Sequence, residues 1–199
     1  DLLKWLKVIE QLANDGAQTV ERMQKFSRIH RARSEKDFQE LDINGIVQDV
    51  VEITRPKWKD EAELKGIKIE IETDLGELPK PIGNASEIKE VLTNLIFNSI
   101  EALPDGGKIM IKTKMQKNDV QISVTDNGLG MIEEVKKKVF EPFFTTKRDK
   151  RNGLGLSVAY GIITRHNGEI TVESQPGEGT TFTIKLPAKQ EKLERVGVS

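Results

Sequence analysis

The chain has 199 residues, enough for one domain with an accessory element, and is 36% hydrophobic and 32% charged, a balance that excludes long disorder. Its 31 Lys and Arg against 32 Asp and Glu leave a formal charge of −1, so a chain built to bind nucleic acid through bulk positive charge is excluded. With no cysteine, disulfide scaffolds, thiol nucleophiles and Cys-based zinc sites are excluded too, and only two histidines remain. No apolar run approaches the roughly 20 residues of a membrane-spanning helix, and the start, Asp1-Leu2-Leu3-Lys4-Trp5, lacks a signal peptide's order. The sequence reads as soluble and cytoplasmic.

Apolar residues at Leu2, Leu6, Ile9, Ala13, Gly16, Val20 and Met23 alternate steps of four and three, which predicts one long helix to about Arg33 with a seam that needs a partner helix. A second helical segment is expected over Gly45 to Lys65, with a kink or altered turn at Pro56. Ile67, Ile69 and Ile71 then alternate with Lys68, Glu70 and Glu72 at the period of a half-buried strand. After the loop containing Pro79, Pro81 and Gly83, Asn84 or Ser86 caps a helix whose apolar set runs from Ile88 to Leu103.

Pro104-Asp105-Gly106-Gly107 is a turn, and a hairpin follows through Ile109 and Ile111, the turn Lys117-Asn118-Asp119, and Val120, Ile122 and Val124. A further helix is expected over Gly155 to His166, then a last hairpin with Ile170 and Val172, a turn at Pro176 to Gly179, and Phe182, Ile184 and Leu186. Strand pairs separated by helices predict an α+β sandwich: one sheet with helices against one face.

Chemistry concentrates in four places. Glu90, Asn94 and Asn98 stand four apart and share one face of an otherwise apolar helix. Asn is a mediocre helix former, so two of them one turn apart need a reason, and carboxamide oxygens are hard ligands suited to Mg²⁺ shared with phosphates. By strand parity Asp126 lies on the inward face with Val120, Ile122 and Val124, where a carboxylate is costly unless it receives hydrogen bonds. Asn127-Gly128-Leu129-Gly130 follows as a tight turn. Phe140-Glu141-Pro142-Phe143-Phe144 gathers aromatics, with Phe140 and Phe143 read as core, and leads into the basic loop Thr145 to Arg151. Gly153-Leu154-Gly155-Leu156 then opens a helix whose N-terminal amides make an anion site.

Taken in order, EVLTNLIFNSIEAL, VTDNGLGM, FEPFFTTK and GLGLSVAYGIITRHNGEITVESQPGEGTTFTIKLP closely resemble the N, G1, F and G2 boxes of the GHKL ATP-binding superfamily. Within it they resemble the catalytic domain of two-component sensor histidine kinases. The resemblance covers roughly Leu41 to Pro187, and residues 2–33 look like the second helix of the kinase dimerisation hairpin.

It implies a Bergerat-type sandwich, a mixed sheet covered by helices on one face, with residues 1–40 as dimerisation helix and linker, 41–187 as ATP-binding domain and 188–199 as a polar tail. Asp126 would accept a hydrogen bond from the adenine amino group, with Gly128 and Gly130 letting the backbone approach the base. Asn98 would be the main Mg²⁺ ligand, with Asn94 in support. Lys147, Arg148 and the amides of Gly153, Leu154, Gly155 and Leu156 would reach the phosphates, and Thr180 would sit near adenine through water.

Two departures stand out. Arg151-Asn152-Gly153-Leu154-Gly155 lacks the usual first glycine of that box, which bears on lid flexibility and phosphate geometry. The family's phosphoacceptor histidine lies on an upstream hairpin helix absent from this sequence. His30 reads as a helix residue, and His166, at a helix end, as a cap on carbonyls that favours the dipole. The expected function is therefore transfer of the γ-phosphoryl group of Mg·ATP to a histidine outside this chain, for passage to a response regulator receiver domain, within a homodimeric parent and without nucleic acid. This chain would bind nucleotide without autophosphorylating. The alternatives are a hydrolytic ATPase of the gyrase, MutL or Hsp90 kind, disfavoured because Asn94 stands where those enzymes place a general-base Glu, and a non-enzymatic ATP-sensing module.

Overall fold

The computed structural model describes residues 37–146 and 153–188, together with Trp5. Apart from Trp5, the expected helix over residues 2–33 lies outside the described residues, as do His30, Lys147, Arg148, Arg151 and the tail from residue 189.

The short strand β1 (Gln39–Glu40) pairs antiparallel with β3 (Ile82–Gly83), and Asp42 then caps helix α1 (Ile43–Arg55), its Oδ1 accepting from Gly45 N at 3.0 Å. Because the cap is Asp42, the helix starts two residues earlier than its apolar spacing suggests. Pro56 has no N–H to continue the ladder, and the chain widens there into a π-helical turn, Pro56–Asp60, before α2 (Glu61–Leu64). This is the altered turn expected at the proline. Trp58 Nε1 donates to Val51 O at 3.2 Å, tying the turn back to α1.

Strand β2 (Ile69–Leu75) buries Ile69, while Lys108 bridges its outward Glu70 and Glu72 at 3.5 and 3.0 Å. Charges on this edge strand discourage pairing with another chain. Helix α3 (Ala85–Glu101) is capped by Asn84, whose Oδ1 accepts from Glu87 N at 3.2 Å, and it carries the chain back to β4 (Gly107–Gln116), parallel to β2. A two-residue turn with Lys117 at φ 56° joins β4 to β5 (Asp119–Asp126). The short helix α4 (Glu133–Lys138) precedes α5 (Gly155–Arg165), and the hairpin β6 (Glu169–Gln175) and β7 (Gly179–Pro187) completes a mixed sheet of order β2-β4-β5-β7-β6.

Inward residues of the sheet, such as Ile109, Ile122, Val124 and Ile184, share one core with Ile88, Leu92, Leu95 and Ile96 of α3 and Ile162 and Ile163 of α5. The opposite face is polar, with Thr125 and Thr181 hydroxyls 2.9 Å apart across β5 and β7. No described helix is long and apolar enough to cross a membrane.

At the end of the core where α3 begins and α5 stops, His166 is 1% exposed. Its Nε2 accepts from the Asn84 amide at 3.0 Å, so Nδ1 carries the hydrogen and donates it to Ile162 O at 2.8 Å. Phe38 stacks on the ring at 4.7 Å. Burial, foremost, holds the pKa of His166 below its ordinary value. The carbonyl cap expected of His166 is present, but it is a neutral hydrogen bond, and the imidazole brings no charge to the dipole. Phe143 is also corrected: at φ 66° it turns outward and is 51% exposed, whereas Phe140 packs edge-on to Phe182 and tilted against Tyr160.

Candidate functional site

Helix α3 has two faces because its apolar residues recur three and four apart. Ile88, Val91, Leu92, Leu95 and Ile96 are buried in the core, and the remaining stripe of Glu90, Asn94 and Asn98 is half-buried. That stripe lines a cavity of about 570 Å³ whose other walls are Asp126, the segments Leu129–Met131 and Phe144–Thr146, the start of α5, and Thr180 and Phe182. A polar stripe on this helix, unfavourable for a core element, faces an open volume.

Asp126 ends β5 on the inward face, in register with Ile109 of β4 and Thr180 of β7, and is 2% exposed. Ser99 Oγ donates to its Oδ2 at 2.9 Å and Gly128 N to its Oδ1 at 3.0 Å, and the Thr180 backbone also bonds the carboxylate. Burial nevertheless pushes its pKa above the ordinary carboxylate value, with the three hydrogen bonds opposing the shift. Thr180, itself buried, holds its hydroxyl 2.9 Å from that of Ser174, which receives the Met131 amide at 2.9 Å, so the turn after β5 is fixed to the β6–β7 hairpin.

The glycines of that turn serve the chain's own packing. A Cβ on Gly128 would run into Ala102 O at the end of α3, and one on Gly130, at φ 64°, into Gln175 O. Across the cavity, Leu154 precedes α5 without a side-chain cap, and Ser157 Oγ donates to Leu154 O at 2.9 Å. The first-turn amides of α5 therefore form an open, positive helix end. A Cβ on Gly155 would lie 3.4 Å from Asn94 Oδ1, so the helix start sits against the Asn stripe.

Of the residues singled out by sequence, Asn94, Asn98, Asp126, Gly130, Gly153, Leu154, Gly155, Leu156 and Thr180 line one cavity, and Gly128 packs on Ala102 behind it. Lys147 and Arg148 lie outside the described residues. Sequence reasoning missed Ser99: the only available signal was a hydroxyl on the apolar side of α3, and its partner stands 27 residues away. Glu90, Asn94 and Asn98 offer oxygen ligands, but among the described residues no group of three His, Asp or Glu side chains can hold a metal alone. A cation here would depend on carboxamides and on a ligand's own oxygens, as Mg²⁺ with a nucleotide does.

Residues 83–190, from the cap of α3 through β7, match the family described as histidine kinase-, DNA gyrase B- and HSP90-like ATPase. The chain belongs to that family. Within it the chain is 36% identical over 159 residues to sporulation kinase E of Bacillus subtilis (strain 168), covering 79% of this chain and 21% of that protein. To the signal transduction histidine-protein kinase AtoS of Escherichia coli (strain K12) it is 34% identical over 186 residues, 83% of this chain and 30% of that one.

Among solved structures, the nucleotide-free catalytic domain of histidine kinase ThkA superposes with a TM-score of 0.64 at 34% identity, covering 76% of this chain and 96% of that one. Full-length ShkA in complex with AMPPNP gives 0.73 at 25% identity, covering 84% and 35%. The fold is thus the Bergerat-type sandwich of histidine kinase catalytic domains. The chain spans between a fifth and a third of the length of these curated relatives.

Proposed function

We propose that this chain is the ATP-binding catalytic portion of a two-component sensor histidine kinase, passing the γ-phosphoryl group of ATP to a histidine carried by other polypeptide. The observation that carries this reading is the buried Asp126 at the floor of a cavity walled by the Asn94 and Asn98 stripe and by the uncapped start of α5. Asp126 presents an acceptor to the adenine amino group, and a guanine carbonyl in its place would set acceptor against acceptor. Asn98, supported by Asn94, would hold Mg²⁺. When bound, Mg²⁺ neutralises charge on the phosphates.

The amides of Gly153, Leu154, Gly155 and Leu156 cradle the phosphate oxygens at the positive end of α5, with Lys147 and Arg148 adding cations and Thr180 holding a water near the base. The imidazole nitrogen of the acceptor takes the γ-phosphoryl group, and ADP leaves. The acceptor histidine sits on the first helix of a dimerisation hairpin, the phosphoryl group moves on to a receiver domain, and this portion works in the cytoplasm as part of a homodimeric parent. Hydrolysis is the weaker reading because the position four residues before Asn98 is Asn94, which cannot act as a general base.

Titration calorimetry with ATP and Mg²⁺ tests the binding step. Asp126→Asn is expected to weaken ATP at least about tenfold, the cost of losing a hydrogen bond to a charged group, with the fold intact by circular dichroism. Wild-type protein that fails to bind ATP, or a variant that binds as well as wild type, overturns the reading.

A further inference from the structure

Ser99 does not line the cavity, yet it is fully buried and its hydroxyl is spent on Asp126, a buried carboxylate that does. A serine within a helix ordinarily returns its hydroxyl to a carbonyl one turn back. Here Oγ reaches 2.9 Å across to Asp126 Oδ2, and because an ionised carboxylate only accepts, the hydroxyl is the donor. A carboxylate has about four lone-pair sites. Ser99 O–H, Gly128 N–H and the Thr180 backbone occupy three of them, from α3, the turn and β7. One site is left, and Asp126 itself lines the cavity.

We infer that Ser99 is the positioning residue for base recognition: by anchoring Oδ2 it fixes the plane of the Asp126 carboxylate so that its remaining lone pair meets the 6-amino group of adenine. This inference rests on the nucleotide reading above and goes beyond it by naming what makes Asp126 selective. The two backbone donors belong to segments that pack through Gly128 and Thr180 whatever residue stands at 99, so Ser99 is the side chain through which α3 orients the acceptor. Without it, Oδ2 loses its donor from α3, the carboxylate is held by its backbone donors alone, and its remaining lone pair is no longer aimed at the amino group.

The experiment compares ATP with purine riboside 5′-triphosphate, which lacks only the 6-amino group, on wild type, Ser99→Ala, Asp126→Asn and the double variant. Wild type is expected to prefer ATP, and Ser99→Ala to weaken ATP about five- to tenfold while leaving the analogue within twofold. In the Asp126→Asn background, where no buried charge remains to be satisfied, Ser99→Ala is expected to change ATP affinity by less than about twofold. Equal weakening of both ligands, an unchanged ATP affinity, or the same loss in the Asp126→Asn background overturns the role of Ser99. Wild type that binds neither ligand defeats the nucleotide reading itself, and wild type that binds the two equally overturns Asp126 as the acceptor of the 6-amino group.

Discussion

Asp126 and His166 are buried titratable side chains that desolvation moves in opposite directions on the pH scale, each toward its neutral form. For His166 this has a consequence for stability. Its folded pKa lies below the ordinary 6.5, held down by burial and by Arg165 and raised by the Ile162 carbonyl and by Glu87. Above pH 6.5 native and unfolded chains are both neutral at this site. Below it the unfolded chain takes up a proton that the native fold refuses, so stability falls as pH drops through 6.5 toward the folded pKa. Urea midpoints between about pH 7.5 and 5.5 are expected to decline for wild type and to decline less for His166→Gln, which keeps a donor and an acceptor but does not titrate. Parallel slopes would show that His166 does not govern this window.

At the scale of elements, α3 and α5 lie against each other and bring their functional groups to one cavity. The middle of α3 presents carboxamides, while α5 presents its N-terminus, and the contact of Gly155 with Asn94 is where they meet. Gly153 sets this approach. It sits at φ 62°, and a Cβ there would run into the backbone of Phe143 and Phe144. Gly153→Ala is expected to cost about 1–3 kcal/mol through strain at that position, measured by denaturant unfolding, and to weaken ATP by calorimetry because the α5 start shifts. A variant with unchanged stability would mean that the segment relaxes freely.

For the whole molecule, the proposed reading separates nucleotide recognition from phosphoryl acceptance by location. The cavity is lined by residues between Glu90 and Phe182, whereas neither histidine reads as the acceptor: His166 is buried where α3 begins and α5 stops, and His30 reads from the sequence as a helix residue. Incubated with γ-labelled ATP and Mg²⁺, this chain alone is expected to gain no acid-labile, base-stable label, and an added polypeptide carrying a dimerisation-hairpin helix with an acceptor histidine to gain one. Phosphohistidine on the chain alone would contradict this assignment, and so would a failure to label the added helix while ATP binds.

The periodicities reached a long way into the site. Steps of four placed Glu90, Asn94 and Asn98 on one face, and alternation along β5 placed Asp126 inward, because both depend only on local backbone geometry. What lay beyond reach involves residues far apart in the chain or a local conformation decided by neighbours. The bond from Ser99 to Asp126 spans α3 and β5, and the space vacated at Gly128 and Gly130 belongs to Ala102 and Gln175. Phe143 looks like core from its neighbours and turns outward because the backbone adopts a positive φ there. His166 looks like a charged cap and is neutral because Asn84 and Phe38 close over it. Local order therefore determined which elements exist and which residues face inward, since helix and strand periods repeat every few residues. Which inward groups touch, and in what ionisation state, was decided only when packing removed the water between them.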